Sequence, residues 1–293
     1  MRLAYIISAY KLPVQLVDLI KSINNKKAFN NKKAFIIVHI DKRTQNNYVD
    51  YVKNELKEFD NIVFLKRHKC YWGDYGHVKA TIKAIRYLVE NKIKFDYFNV
   101  ITGQDYPIKS QEYIEKYFKN KNKSYMEYFS IPTKKWKNGM DRIELLHFQF
   151  GPRRVIVPKE ISKLIRSNFY KLNIYNQKNF KFYGGSGYFS LSEKHTKFIY
   201  DFLNKNRDYE KFFKTTFISD EIFFQTILLN SKYNKEIINN NLRLIDWNGP
   251  IDFPKIFTSK DLVEIKRSKA LFARKFDISR DKNIIKRINN HIA

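Results

Sequence analysis

The sequence predicts an α/β fold with a mostly parallel central sheet flanked by helices. Three observations carry this. Compact apolar runs at Leu3–Ala9, 34–40 and Tyr97–Thr102 lack alternation, the pattern of strands buried on both faces. Segments with helical spacing fall between them. The 293 residues, 43% of them hydrophobic, are enough for a sizeable core.

The elements follow in order. Leu3–Ala9 reads as the first buried strand. Apolar residues at Leu16, Leu19, Ile20 and Ile23 give a helix over 16–23. The run 34–40 is the second strand, closed by Asp41-Lys42. A helix is expected over 48–58 and a short third strand over 61–65. The loop 67–77 mixes aromatic, glycine and charged residues, a composition common where loops line a site. An amphipathic helix over 78–88 leads to the strand Tyr97–Thr102. This strand and helix alternation argues for parallel pairing. The middle is less regular. A strand is expected over 124–130, then a basic loop over 134–137 and an apolar, alternating stretch over 142–150. Segment 159–181 mixes Lys and Arg with apolar residues. It reads either as a basic amphipathic segment resting on a membrane face or as a solvated helix over the core. Tyr183-Gly-Gly-Ser-Gly187 reads as a turn feeding a strand. Helices are expected over 193–203, 220–231 and 261–270, a strand over 242–247, and a basic helix or tail over 282–291. No internal repeat or linker divides the chain.

Net charge is +27, from 56 Lys and Arg against 29 Asp and Glu. This calls for an anionic partner: a nucleic acid, a nucleotide-sugar diphosphate or an acidic membrane surface. Aromatic residues, 16% of the chain, supply either stacking surfaces or, more commonly, a Phe-rich core. The single cysteine, Cys70, excludes an intrachain disulfide and points to a reducing compartment. No apolar run approaches the roughly 18 residues of a membrane span, so a soluble or peripheral protein is expected.

Candidate chemistry centres on Ser219-Asp220-Glu221. With Ser219 as N-cap, the acidic pair opens a helix at the rim of the fold. A carboxylate there suits a general base, but from spacing alone a plain helix start is the commoner use. Asp41, at a strand end, suits a ribose or base contact, and equally a turn. The glycines of 184–187 fit neither a phosphate-binding loop nor a nucleophile elbow, but allow close approach to the backbone. Cys70 beside His68 and His77 could mimic a Cys/His nucleophile site, but a single buried cysteine is more often inert; a lone cysteine and scattered histidines give no zinc spacing. No Asp-x-Asp pair is present to hold a divalent ion on a nucleotide diphosphate. Protein cations would then take that part, and the adjacent Arg274 and Lys275 are candidates for clamping a diphosphate.

Several segments together resemble one family, the core-2/I-branching β-1,6-N-acetylglucosaminyltransferases with the peptide O-xylosyltransferases. Ala4-Tyr-Ile-Ile-Ser-Ala-Tyr10 is similar to the family's opening strand, and Val38-His-Ile-Asp41 to its "IHVD" segment. Tyr71-Trp-Gly-Asp-Tyr-Gly-His-Val-Lys-Ala80 is similar to "WG-x-x-S-x-V-x-A", and Thr102-Gly-Gln-Asp-Tyr-Pro-Ile108 to "SG-x-DYPI". Gly185-Ser186 with Phe189-Ser-Leu-Ser192 is similar to "GS-x-W-x-x-LS", Ser219-Asp-Glu221 with Thr226 to "PDE-x-x-x-x-T", and Phe272-Ala-Arg-Lys-Phe-Asp277 to "FARKFD". Each motif is weak alone; seven in register are specific.

The resemblance implies a GT-A-type fold over 1–293, with 1–110 as the nucleotide-binding half, 111–277 as the acceptor and catalytic half and 278–293 as a basic tail. It implies an inverting, metal-independent transfer from a UDP-sugar, most often UDP-GlcNAc, to a glycan hydroxyl. Glu221 falls on the catalytic base. Asp41, Lys275, Arg274 and Ala9 fall on the donor side. Trp247, Glu127, Asp105, Gly185 and Ser186 fall on the acceptor side. A second diphosphate-binding cation of the branching enzymes has no clear counterpart; Arg274, Lys255 and Arg267 are candidates. No cofactor or metal is expected. The family's disulfides and anchor are lacking, so a cytoplasmic, bacterial form is expected, acting in surface-polysaccharide synthesis with peripheral contact to the anionic inner face of the membrane. The residues alone leave open a basic nucleic-acid-binding module or an idle membrane-surface scaffold.

Overall fold

The structure is a computed structural model that describes residues 1–24, 34–170, 180–249 and 253–292. Its strands are β1 (Leu3–Ala9), β2 (Phe35–Ile40), β3 (Ile62–Phe64), β4 (Tyr97–Thr102), β5 (Asp105–Pro107), β6 (Ser124–Ile131), β7 (His147–Phe150), β8 (Arg153–Ile156), β9 (Phe182–Ser192), β10 (Ile237–Ile238), β11 (Arg243–Ile245) and β12 (Phe272–Arg274). Parallel pairings predominate, and the α/β class holds. The chain clusters into two compact units, each built from separate stretches: 1–68, 94–122 and 241–293 form the first, 69–93 and 123–240 the second.

In the first unit, β4, β1, β2 and β3 lie side by side in that order, all parallel. The helices Pro13–Ile23 and Asn46–Glu55 make the crossovers. Pro13 sits in the first turn, where its missing N–H costs nothing. Five consecutive residues of β1, Leu3 to Ile7, are buried, as the unbroken apolar run requires. A second small sheet pairs β12 in parallel with β11 and antiparallel with β5. The three-residue β5 and β12 have no periodicity of their own to predict them. The C-terminal stretch forms a helix, Ile284–Ile292, that buries Ile284, Ile285 and Ile288.

In the second unit, β6 pairs antiparallel with β9 and parallel with β10. β7 and β8 form a hairpin. The glycines of 184–187 lie inside the eleven-residue β9, and no turn is made there. A Cβ on Gly185 would stand 1.9 Å from the Glu127 carbonyl oxygen, and one on Gly184 would stand 2.7 Å from the Trp136 ring. The room these glycines leave is filled by β6 and Trp136. The helices Gly76–Glu90, Glu193–Lys205 and Phe223–Leu229 complete the unit. Phe189, Tyr209, Phe212, Phe213, Phe223 and Phe224 are all buried. That cluster answers the question left by the aromatic content: much of it is core. The expected segment 159–181 is a helix over Lys159–Tyr170; residues 171–179 lie outside the described residues. No helix among the described residues is long and apolar enough to cross a membrane.

Candidate active site

The acidic pair belongs to the second unit. Ser219–Glu221 form a single 3-10 turn, and the α-helix begins after it, at Phe223. The expected continuous helix capped by Ser219 is therefore replaced by a turn fixed from elsewhere. Ile218 adopts a left-handed conformation, φ 51°, costly for a β-branched residue. Its N–H donates to the Gly73 carbonyl at 2.8 Å, and the Ser219 hydroxyl donates to the Asp74 carbonyl at 3.3 Å. Gly73 can take this place because it has φ +76° and no Cβ; a Cβ would strike the Phe217 ring at 2.4 Å.

Glu221 is half-buried. Burial pushes its carboxyl pKa up, and the neighbouring Asp220 pushes it further, to about 8. Arg142 opposes this, Glu127 adds to it, and Lys135 opposes it in turn. The Arg142 guanidinium stacks 4.0 Å over Trp136 and lies 5.8 Å from the Phe217 ring. Its own pKa is lowered by burial and drawn back by Glu221. Its backbone carbonyl accepts from Phe217 N at 3.1 Å, so Arg142 is tied to the strand of chain that delivers Glu221. Glu127, on β6, pairs with Lys135 at 2.8 Å. On β9, the Ser186 carbonyl accepts from Gln225 at 2.8 Å, and Gly187 lies against the Asp220 carboxylate. The second unit thus gathers Glu221, Glu127, Gly185 and Ser186. It adds Arg142 and Lys135, to which no assignment was made from sequence. Their closeness to Glu221 is tertiary, and the basic loop 134–137 was its only trace.

The first unit gathers the cations. Arg274, on β12, faces Asp105 of β5 at 3.4 Å, and both are buried. Asp105, expected on the acceptor side, thus stands as the partner of Arg274. Lys11 pairs with Asp277 at 2.7 Å. Burial would raise the Asp277 pKa, but Lys11 and Ser279 outweigh it and hold it low. The Lys275 ammonium is pushed down by burial first, then by Lys11 and Arg274, while Asp277 and Asp105 oppose. Among the described residues, three cations face two carboxylates here, an excess of one positive charge. Gln15, fully buried, pins the segment: its amide donates to the Gly103 and Phe276 carbonyls at 2.8 and 3.2 Å, and its oxygen accepts from Ile278 N at 3.0 Å. Lys255, a stand-in for the second cation, is committed to Asp261 at 2.7 Å.

Asp41, at the end of β2, is buried and forked by Arg43, whose Nη2 donates to it at 2.6 Å. Beyond the ends of β1 and β2 opens a cleft of about 530 Å³ lined by Tyr10, Arg43, Thr44, Tyr48 and Tyr51 among others. It starts one residue after Ala9. Lys11 adjoins it: its carbonyl accepts from the Tyr48 hydroxyl at 3.2 Å. Trp247 is 64% exposed, in the loop after β11.

The family model described as "Core-2/I-Branching enzyme" matches residues 3–266. The chain belongs to this family. Its fold is α/β with mostly parallel strand pairing. Similar curated proteins include Xylosyltransferase 2 of Rattus norvegicus, 22% identical over 99% of this chain and 34% of that protein. Xylosyltransferase 1 of the same species is 24% identical over 91% of this chain and 33% of the relative. The Ciona intestinalis Xylosyltransferase is 24% identical over 88% and 30%. The chain spans about a third of the length of these relatives. Among solved structures, the WbbM bifunctional glycosyltransferase aligns at a TM-score of 0.40 and 13% identity, over 94% of this chain and 45% of that one. Core-mannan synthase A of Aspergillus fumigatus aligns at 0.34 and 11%, over 80% and 71%.

Proposed function

We propose that the protein is an inverting glycosyltransferase that moves a sugar from a UDP-sugar to a hydroxyl of a glycan acceptor, with Glu221 as general base. The observation that carries this reading is the Glu221 carboxyl itself. It is held on a fixed turn, and its pKa is pushed from the carboxylate range to about 8. A base with a pKa near working pH accepts a proton well while remaining partly ionised. Glu221 takes the acceptor proton as that oxygen attacks C1 of the donor sugar. The C1–O bond to UDP breaks as the new bond forms on the opposite face. Lys275, with Arg274 and Lys11 beside it, stabilises the charge gained by the departing diphosphate. The cleft beside Asp41 holds the nucleotide, since open α/β sheets bind nucleotides beyond the carboxyl ends of their strands. The excess cation supports a reaction without a metal ion, as does the missing Asp-x-Asp.

The donor we propose is UDP-GlcNAc, and the acceptor a surface-polysaccharide intermediate. A second donor reading, UDP-xylose, is favoured by the names of the curated relatives. A thermal-shift panel of UDP-sugars followed by transfer assays separates the two. Glu221→Gln should abolish transfer while donor binding survives, and retained turnover would remove Glu221 as base. Transfer should persist in EDTA; a strict requirement for added Mn²⁺ would overturn the metal-free route.

A further inference from the structure

The segment 147–168 presents its side chains the wrong way round for a water-facing surface. Among the described side chains of the helix Lys159–Tyr170, those of Ser162 and Arg166, one turn apart, are buried. The Arg166 guanidinium donates to the carbonyls of Phe212, Thr215 and Leu145 at 2.8, 2.9 and 3.2 Å. Ser162 accepts from Leu146 N at 3.1 Å and donates to the Val157 carbonyl at 3.0 Å, fastening the helix to the base of the hairpin. Ile161, Leu164 and Ile165 point outward, Leu164 being 71% exposed. The β7–β8 hairpin repeats the pattern. Phe148 pairs with Val155, and Phe150 with Arg153. By strand alternation these four share one face, and Phe150 is 65% exposed.

The charge beside these apolar groups has one sign. Residues 147–170 hold five Lys and Arg against a single acid, Glu160. Arg153, Lys159 and Lys163 are exposed, whereas the Arg154 guanidinium is turned onto the Phe217 ring at 3.5 Å. We propose that the β7–β8 hairpin and the helix Lys159–Tyr170 form a docking surface for an anionic lipid bilayer. Phe148, Phe150, Leu164 and Ile165 enter the boundary between headgroups and acyl chains. Arg153, Lys159 and Lys163 meet lipid phosphates, their aliphatic stems lying along the apolar groups. A second copy of the chain fits poorly, because two faces of this charge repel. A soluble polyanion would use the cations but gives no reason for Leu164 and Phe150 to face outward while Ser162 and Arg166 are buried.

The test is co-sedimentation of the full chain with vesicles of phosphatidylcholine carrying about a third phosphatidylglycerol, against phosphatidylcholine alone. Anionic vesicles should bind the protein at least about tenfold more strongly, since each basic residue near such a surface contributes roughly fivefold. The double variant Phe150→Ser with Leu164→Ser should lose about tenfold in binding to anionic vesicles, with melting temperature and sugar transfer unchanged. Neither residue is placed in the catalytic machinery, so failure here leaves the transferase reading standing. Three results would overturn the proposal: no preference for anionic vesicles, full binding by the double variant, or a dimer in solution that this variant dissociates. Binding to a single-stranded oligonucleotide as tight as to vesicles, and unaltered in the double variant, would assign the surface to nucleic acid instead.

Discussion

At the scale of single residues, two charges decide what Glu221 and Lys275 can do. With its pKa pushed up to about 8 by burial and Asp220, Glu221 is mostly protonated at neutral pH. A general base works only when ionised, so if Glu221 has the proposed role kcat/KM should climb with pH through an acid limb centred near that value. Arg142 lowers the Glu221 pKa. Removing it in Arg142→Gln should therefore move the acid limb to higher pH. Activity lost at neutral pH should return above about pH 9, whereas a merely unfolded variant would not recover. A pH profile of kcat/KM that keeps its midpoint would remove Arg142 as the group that positions and tunes Glu221. Lys275 differs from its neighbour Arg274. Arg274 faces the buried Asp105, so its loss would strand a carboxylate and cost stability. Lys275→Gln should leave the fold intact and lower kcat/KM for the donor by roughly a hundredfold, the size typical of losing one transition-state charge contact. Steady-state kinetics beside a thermal melt check both halves of that expectation.

At the scale of elements, the site depends on backbones that approach one another closely. β9 meets β6 where Gly185 faces the Glu127 carbonyl, and both strands are held there by their ladder. Gly185→Ala should therefore cost about 3 kcal/mol, and activity should fall with it because the β6 backbone at Glu127 must shift. Chemical denaturation measures the first, and an undisturbed midpoint would show that the strands can part. These same elements show what a sequence can and cannot reveal. β1, β2 and β4 were legible because a strand buried on both faces leaves an unbroken apolar run. β5 and β12 were not, since three residues carry no period and each is defined by a partner far away in sequence. The glycines at 184–187 signalled a turn, because a turn is the commoner use of glycine. Here they admit a neighbouring strand and the Trp136 ring. Glu221 was singled out by the motif around it, since local spacing alone favoured a plain helix start. Arg142 had no local signal at all: it is 79 residues from Glu221, and only folding makes it a neighbour.

At the scale of the whole molecule, the positive charge has more than one outlet. The net +27 is far more than the cations beside Asp105 and Asp277 account for. Such a field raises the local concentration of an anionic donor and speeds its encounter. Once the donor is bound, the distant charges act equally on ground and transition states, so they change kcat little. Raising salt from about 50 mM to about 500 mM shortens the screening length to well under 10 Å. The expected result is a fall of several-fold in kcat/KM for the donor with kcat nearly constant. Measuring both at fixed pH, with a neutral acceptor, separates steering from chemistry. A drop in kcat equal to that in kcat/KM would place the salt-sensitive charge at the reacting atoms. Insensitivity of both would mean that the surface lysines serve other partners, and that Lys11, Arg274 and Lys275 draw the donor unaided.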